Sequence, residues 1–476
     1  MDDLCLDVTE SYVDQCKIIS QQVQSFLPYS STALGKNDEI RFEIRNMDSY
    51  TLPSASYLYL EGEVKKPDGM KSSPRFINNG LAYLFSEIRY EINGTQIQKV
   101  RNPGITSTLK GYCSYSPADI NELHTAAWDI TTEDNKDFFD CTYFSGIIPL
   151  SHILGPADIN ELHTAAWDIT TEDNKDFFDC TYFSGIIPLS HILGFAEDYK
   201  KILLNCTQSL ICTRSSSDIN VIKLFNVKES SEKLKCSTGT SDDNEVVKLL
   251  DTSTTVKEKL STVSIKLTKV VWNMPIVKVT EKEQLKLLRV LDSKKSIHCA
   301  HRNWELCEYP FVPQNKSFSW TVKTCNNFQK PRYVIVGFQT DRKNSESKSM
   351  SEFDHCNLTN LKVHLNSEVY PYIDLRCNFD CKLFSILFSY YVNFQKSYYD
   401  RPWCSPLVNK KQFLNLIPIA VIDMSKQNDT ITVSSFDLRI EIEASAAFPG
   451  NTTAYALVIS DNVFTYTPFD GTVRIF

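Results

Sequence analysis

The 476-residue chain is poor in glycine, with 15 residues, about 3% against a usual ~7%. The glycines it has form no G-x-G-x-x-G run and no Walker loop, so no backbone cradle for phosphate is readable. No G-x-S-x-G elbow and no H-E-x-x-H pair occurs, which removes two common hydrolase and metalloprotease signatures. Long apolar runs are missing too. The best, Leu383 to Phe394, is 12 residues long and holds Ser, Tyr and Asn, short of the ~18 that a spanning helix needs. The first residues, Met-Asp-Asp-Leu-Cys, have neither a basic flank nor an apolar core, so no secretory signal is read there and an intracellular location is expected. Basic charge is not in excess. Fifty Lys+Arg stand against 58 Asp+Glu, and a net charge of −8 with a pI near 5.6 argues against a surface built to coat nucleic acid.

What the chain does have is globular: 42% apolar, 12% aromatic and 23% charged residues, at a length that allows two to four domains. Its 15 cysteines, without a signal peptide, read as reduced thiols rather than a disulfide framework. Cys377 and Cys381, with three residues between them, match no C-x-x-C pattern. Six glycosylation sequons (Asn93, Asn205, Asn315, Asn357, Asn428, Asn451) read as chance matches for the same reason.

One segment is repeated without a mismatch. Pro117 to Gly155 recurs as Pro156 to Gly194, an offset of 39. Solenoid arrays need about three or more diverged units with atypical caps, so two identical copies are not architecture. They point to a recent duplication or a doubled exon, with one copy extraneous. Each unit carries seven acids and one lysine, so a single-copy chain would stand at −2 instead of −8. The acidity therefore supports no argument about charged partners. Only one copy can fill the native position, and the other is expected to loop out with exposed Trp, Phe and Ile.

A second, diverged repeat does look architectural. β-rich runs are dense (Glu39–Arg45, Ser56–Val64, Ser86–Ile92, Lys201–Thr213, Val263–Val279, Phe318–Lys323, Tyr333–Thr340, Leu361–Leu365, Ile417–Asp423, Thr430–Glu443, Thr453–Thr467). Helical periodicity is confined to Thr106–Tyr112, Glu281–Leu291 after Thr280, and Leu383–Gln395. Phe42-Glu-Ile echoes Phe318-Ser-Trp and Tyr57-Leu-Tyr-Leu echoes Tyr333-Val-Ile-Val, both at an offset of 276. Tyr90-Glu-Ile-Asn-Gly echoes Val363-His-Leu-Asn-Ser at 273, each a strand, an Asn-led turn and a strand. The pattern implies an all-β chain of two consecutive eight-stranded jelly rolls with a few short helices in the long connections. The expected division is an N-terminal arm (1–34), a first jelly roll (35–279), a bridging helix (280–296) and a second jelly roll (297–476). Residues 228–259, rich in Ser, Thr and charge, read as a solvated loop.

Few residues invite a chemical reading. His298, Cys299, His301 and Cys307 are zinc-ligand types, but the spacing is irregular and lacks a second half, so a loop of ordinary buried thiols is the reading taken. Asp341 and Asp354 bound a polar loop and read as solvated. Lys323, Lys330, Arg332, Arg342 and Lys343 flank Phe328 and Tyr333; this could form an inward patch against nucleic acid, while interleaved charge at a sandwich end is the commoner arrangement. Asp400-Arg-Pro-Trp reads as a turn. No catalytic, cofactor-binding or metal-binding residue is assigned, and no cofactor is expected.

Several strings then carry a resemblance: Tyr50-Thr-Leu-Pro-Ser-Ala-Ser-Tyr-Leu-Tyr-Leu-Glu-Gly, Asn78-Asn-Gly, Glu87-Ile-Arg-Tyr-Glu-Ile-Asn-Gly and Arg101-Asn-Pro-Gly-Ile-Thr-Ser-Thr-Leu-Lys in the first half. Lys330-Pro-Arg-Tyr-Val-Ile-Val-Gly-Phe-Gln-Thr-Asp-Arg, Leu365-Asn-Ser-Glu-Val-Tyr-Pro-Tyr and Asn451-Thr-Thr-Ala-Tyr follow in the second. Over residues 35 to 476 the chain resembles double jelly-roll proteins of insect and other arthropod genomes. These are similar to the major capsid proteins of the adenovirus and tailless-phage lineage and of virus-like transposons. The resemblance implies a non-enzymatic, self-assembling structural protein: upright paired jelly rolls, three chains to a pseudo-hexameric unit, with other capsid-like proteins as further partners. It implies one copy of the 39-residue segment, so the second is a departure. The aromatic group Tyr390, Tyr391, Phe394, Tyr398, Tyr399 and Trp403 would suit a subunit contact, though lining its own core is the simpler expectation. The alternatives are a lectin-like or protein-binding pair of jelly rolls and, third, a metal-dependent cupin-type enzyme.

Overall fold

The computed structural model describes residues 17–29, 34–46, 50–67, 73–119, 123, 125–128, 182–225, 263–326, 330–345, 348–427 and 435–475. The expected loop at 228–259 and the sequon at Asn428 lie outside these residues. The first half contains β1 (Ile18–Phe26), β2 (Glu39–Asn46), β3 (Tyr50–Thr51), β4 (Tyr57–Lys65), β5 (Ser73–Phe76), α1 (Gly80–Tyr83), β6 (Phe85–Ile92) and β7 (Thr95–Arg101). It continues with α2 (Pro103–Ser114), β8 (Tyr182–Pro188), α3 (Gly194–Asp198), β9 (Cys206–Arg214), β10 (Ile222–Phe225) and β11 (Ser264–Val279). Then come α4 (Glu281–Asp292), β12 (Ile297–Tyr309), β13 (Ser317–Asn326), β14 (Pro331–Thr340), β15 (Leu358–Leu365), β16 (Glu368–Tyr370) and α5 (Ser385–Tyr399). The chain closes with α6 (Lys410–Leu416), β17 (Ala420–Asp423), β18 (Ser435–Ala444), β19 (Thr452–Tyr466) and β20 (Val473–Ile475).

The strands pair antiparallel into sheets β1-β11-β4-β8 and β2-β9-β6-β7 before α4, and β12-β19-β14-β17 and β13-β18-β15-β16 after it. Numbering each half's eight principal strands in chain order gives 1-8-3-6 facing 2-7-4-5 both times. That is the jelly-roll order, twice. The three sequence echoes fall on equivalent strands: Phe42 and Phe318 on the second, Tyr57 and Tyr333 on the third, Tyr90 and Val363 on the fourth. Residues 18–26, read from the sequence as part of an arm, form the first strand.

Alternation explains why these segments are strands. In β4 the odd positions are partly exposed, while Leu58, Leu60 and Val64 point into the core. Trp272 on β11 meets Phe42 and Tyr90 edge-on, joining the two sheets of the first half. The β6–β7 hairpin turns on Asn93 (φ 49°) and Gly94 (φ 76°), the two positive φ values that a two-residue hairpin requires. The expected helices are present as α2, α4 and α5. Thr280 occupies the N-cap of α4 but makes no side-chain capping bond. No described helix is long and apolar enough to cross a membrane.

The duplicated segment is used in a way the sequence reading did not foresee. Neither copy fills the native position alone. Leu123, Ala126, Ala127 and Trp128 of the first copy are buried, with Trp128 edge-on to Tyr112 and Tyr115. The strand that follows, β8, comes from the end of the second copy, where Ile186 N–H donates to the Thr125 carbonyl at 2.9 Å. Chain continuity selects this composite. Pro117 must follow Ser116, whose N–H and hydroxyl donate to Asp119 at 2.8 and 2.9 Å. Gly194 must precede Phe195, which is buried. Choosing either copy whole would force 39 residues into one of those two joints, whereas the composite leaves all the surplus between residues 129 and 181.

Candidate functional site: the seam between the two jelly rolls

Helix α2 lies at the seam. All twelve of its residues are buried, and it packs against α5, β12, β14 and β19 of the second half. A helix with this many hydroxyls can be buried because they bond to nearby carbonyls. Thr106 donates to the Arg101 carbonyl at 3.0 Å, and Ser107 to that of Pro103 at 2.5 Å. Pro103 opens the helix, where its missing N–H costs nothing.

Lys110 sits on α2 with its side chain 3% exposed. Its ammonium donates to Glu197 Oε1 (2.8 Å), Ser114 Oγ (2.7 Å) and Tyr399 OH (2.9 Å). Above it lie the rings of Tyr398 at 4.1 Å and Trp304 at 4.8 Å. Burial lowers its pKa, and the Glu197 carboxylate opposes that shift. Tyr398 OH also donates to Glu197, at 2.7 Å. Next along, Asp198 accepts from the Arg302 backbone N–H (2.8 Å) and from the Arg302 guanidinium, whose plane covers Tyr398. Burial acts against the charge on Arg302. The bonds and charge of Asp198, with the acidic groups around it, outweigh that and raise its pKa. Removing one partner of a buried pair such as Lys110–Glu197 costs roughly 3–5 kcal/mol, because the other charge is left unpaired.

Tyrosine and amide side chains complete the seam. Tyr83 OH donates to the Met350 carbonyl (3.0 Å), Tyr112 OH to that of Ser351 (3.1 Å), and Tyr391 OH back to that of Tyr112 (2.9 Å). Asn93 and Asn205, both sequon positions, donate their amides to the carbonyls of Gly471 (2.9 Å) and Pro468 (2.7 Å). Gly194 has no room for a side chain, since a Cβ would overlap the Arg302 carbonyl oxygen. His301 on β12 is buried between Phe195 of the first half and Phe464 of the second, and burial pushes its pKa down to about 4. His191 is held at about 4 by burial as well, beside Tyr115.

The residues singled out in the sequence are dispersed. Tyr391, Phe394 and Tyr398 line the seam within one chain, with Tyr390 and Tyr399 partly buried; Trp403 alone stands 73% exposed. His298 points to the opposite face of β12 from Cys299 and His301, because the pleat alternates; Cys307 lies further along the same strand, partly buried. Among the described residues no metal-ligand cluster forms. Arg332 bonds Asp461, Arg342 bonds Asp354 and Glu352, and Lys343 bonds Glu308, so these three form ion pairs rather than a shared patch. The Lys323 side chain and Phe328 lie outside the described residues. Asp354 is the partner of Arg342, and Asp341 sits at a left-handed turn position. Asp400 caps α5 in the left-handed conformation, as the turn reading expects. Lys110, Glu197, Asp198 and Arg302 were not singled out. Their one sequence signal is a lone charge in the otherwise uncharged Thr-Ser-Thr-Leu-Lys-Gly-Tyr-Cys.

A family model described as the double jelly roll-like domain matches residues 75–161, 156–239 and 242–464. The first two matches each take in one copy of the repeated segment. The chain is similar in structure to the Sputnik virophage structure solved by cryo-EM, with TM-score 0.56 and 9% identity over 100% of this chain and 92% of that one. It is also similar to Vp54 of PBCV-1 (TM-score 0.52, 10% identity, 98% of each chain). The Faustovirus major capsid protein matches at TM-score 0.51 and 7% identity over 96% of this chain and 92% of that one. No curated protein sequence matches it.

Proposed function

We propose, since this chain belongs to the double jelly-roll-like family, that it is a capsid-like structural protein that associates with copies of itself head to tail in threes. One observation carries the reading. The first strand of the second jelly roll, β12, is covered by the first half through α3 and β7. The equivalent strand of the first jelly roll, β1, has no such cover among the described residues: Ile18, Ile19 and Val23 are more than half exposed on an edge strand. The chain thus holds one satisfied and one unsatisfied version of the same surface. On the far flank, the equivalent of β7 is β16, and just beyond it Tyr372 and Ile373 are exposed. A contact between those unlike faces is heterologous, and it closes if three chains place six jelly rolls around an axis. A stable contact of this kind would bury over roughly 2,000 Å².

The role needs shape and flanks rather than a reaction centre, which is consistent with Lys110, Arg302 and their partners being fully occupied in holding the two halves together. Its setting is intracellular or within a particle, with other capsid-like chains as further partners. Light scattering on the purified chain is the test. A species of three times 54.4 kDa is expected, with Ile19→Lys plus Val23→Lys reducing it to single chains. A wild-type monomer at micromolar concentration would overturn the reading.

A further inference from the structure

Helix α3 grips the second jelly roll for the first, and a histidine stands on each side of it. His301 of β12 is 4% exposed, edge-on to Phe195 of α3 at 5.6 Å and to Phe464 of β19 at 5.8 Å. Neither of its ring nitrogens has a hydrogen-bond partner among the described residues. His191, three residues before α3, is half-buried against Tyr115 at 5.0 Å, and its Nδ1 is likewise enclosed without a partner. Buried polar atoms left unpaired are rare in folded proteins and call for a physical account.

The charges around α3 balance as they stand. Lys110 of α2 bonds Glu197, and Arg302 of β12 bonds Asp198, two cations against two anions. Around His301 lie Asp198 of α3, Cys299 and Arg302 on its own strand, and Asn462 opposite it on β19. Gln98 of β7 is occupied with the Phe195 N–H, at 2.9 Å. Around His191 lie Glu197, Lys110 and Asp119, and Asp119 already accepts from Ser116. Each of these carboxylates is thus engaged elsewhere. A proton on either ring adds a cation to a dry seam whose charges are already matched.

We propose that α3 is an acid-sensitive latch between the jelly rolls: protonation of His301 and His191 drives α3 off β12 while each jelly roll stays folded. Each half keeps its own two sheets, so lifting a five-residue helix leaves both sandwiches intact. The direction follows from burial. With the latch closed, both imidazoles stay neutral down to about pH 4, whereas in an opened seam they titrate near 6.5. Opening is therefore favoured progressively as pH falls from 6.5 to about 4, and the gain saturates below that. The latch belongs to the single chain and does not depend on how many chains associate.

Amide hydrogen exchange on the full chain at pH 7 and pH 5, corrected for the intrinsic rates, tests this. Two amides report the latch directly. Arg302 N–H donates to Asp198 at 2.8 Å and Leu204 N–H to Tyr466 OH at 3.3 Å, both across the seam. Leu210 and Val458, on the central strands β9 and β19, report whether the jelly rolls themselves open. Over that interval the opening constant at the seam amides is expected to rise about 20-fold per histidine, roughly 400-fold in all, well ahead of Leu210 and Val458. His301→Phe removes one of the two factors, and His301→Phe with His191→Phe leaves the seam amides nearly flat with pH. The pair His301→Gln and His191→Gln serves where phenylalanine does not fit, and the wild-type series is decisive without either. Seam amides that open no more at pH 5 than at pH 7, or only together with Leu210 and Val458, overturn the proposal. So does a pH response that survives in the double variant.

Discussion

The two jelly rolls share one strand order and differ in what joins their fifth strand to their sixth. In the second half, β16 leads to β17 through α5, whose exposed positions include Ile386, and through α6, fixed by a capping box between Asn409 and Gln412. In the first half, β7 leads to β8 through α2, buried on every side, and then through the duplicated segment. The helix of one half is capped from above by the other half, and the helix of the other is only half covered. A near-repeat in sequence thus becomes asymmetric because each half meets a different neighbour, and the same asymmetry separates exposed β1 from covered β12.

The sharpest way to break that comparison is inside the exact repeat, where chemistry is identical and only position differs. Trp128→Ala, which removes a fully buried ring, is expected to cost about 3–5 kcal/mol in urea unfolding. Trp167→Ala, the same residue one unit later, should change stability by less than about 0.5 kcal/mol. Equal costs would show that the second copy competes for the slot.

Next in size is acid sensitivity, which compares one histidine from each half. His191 and His301 have folded pKa values pushed down to about 4 by burial, against 6.5 in an open chain. The unfolded chain therefore takes up protons first as pH falls. Stability should be flat above pH 6.5 and then drop by about 1.4 kcal/mol per pH unit for each histidine, down to about pH 4. Asp198 near His301, and Glu197, Lys110 and Asp119 near His191, are the charges that modulate this. Comparing the pH 7 and pH 5 unfolding midpoints of the wild type with those of His301→Phe should show one of the two slopes removed. An unchanged slope would place His301 in a solvated site.

The smallest effect is the surplus itself. Deleting any 39 consecutive residues within the repeat yields one and the same 437-residue chain, and shortens the connection after Trp128 from 53 residues to 14. Loop closure then favours the folded state by about 1 kcal/mol. A thermal melt showing the shorter chain less stable would mean that the surplus packs somewhere.

Much of the fold was legible because one sheet face is buried and the other is not. Eleven strand segments announced themselves through alternation such as Tyr57-Leu-Tyr-Leu-Glu-Gly-Glu-Val, and Asn93-Gly marked its turn. The failures share a cause. β12 reads Ile-His-Cys-Ala-His-Arg-Asn-Trp-Glu-Leu-Cys-Glu-Tyr, with polar residues throughout, because it lies in a seam where charged groups are paired across the two halves. β1 is exposed along almost its whole length and so carries no inward stripe. The seam residues were invisible because Lys110 and Glu197 are 87 positions apart, and no local pattern brings them to 2.8 Å.

The amino-acid sequence by itself determined that the chain is β, that it is double, and that its halves echo one another at three strands, since those properties follow from local periodicity and turn chemistry. Only the tertiary structure decided which parts of the two identical segments are used, which charges are buried, and which of two equivalent strands is left uncovered. Those outcomes depend on chain continuity at Ser116 and Phe195 and on contact between distant surfaces, and neither is written in any short stretch of residues.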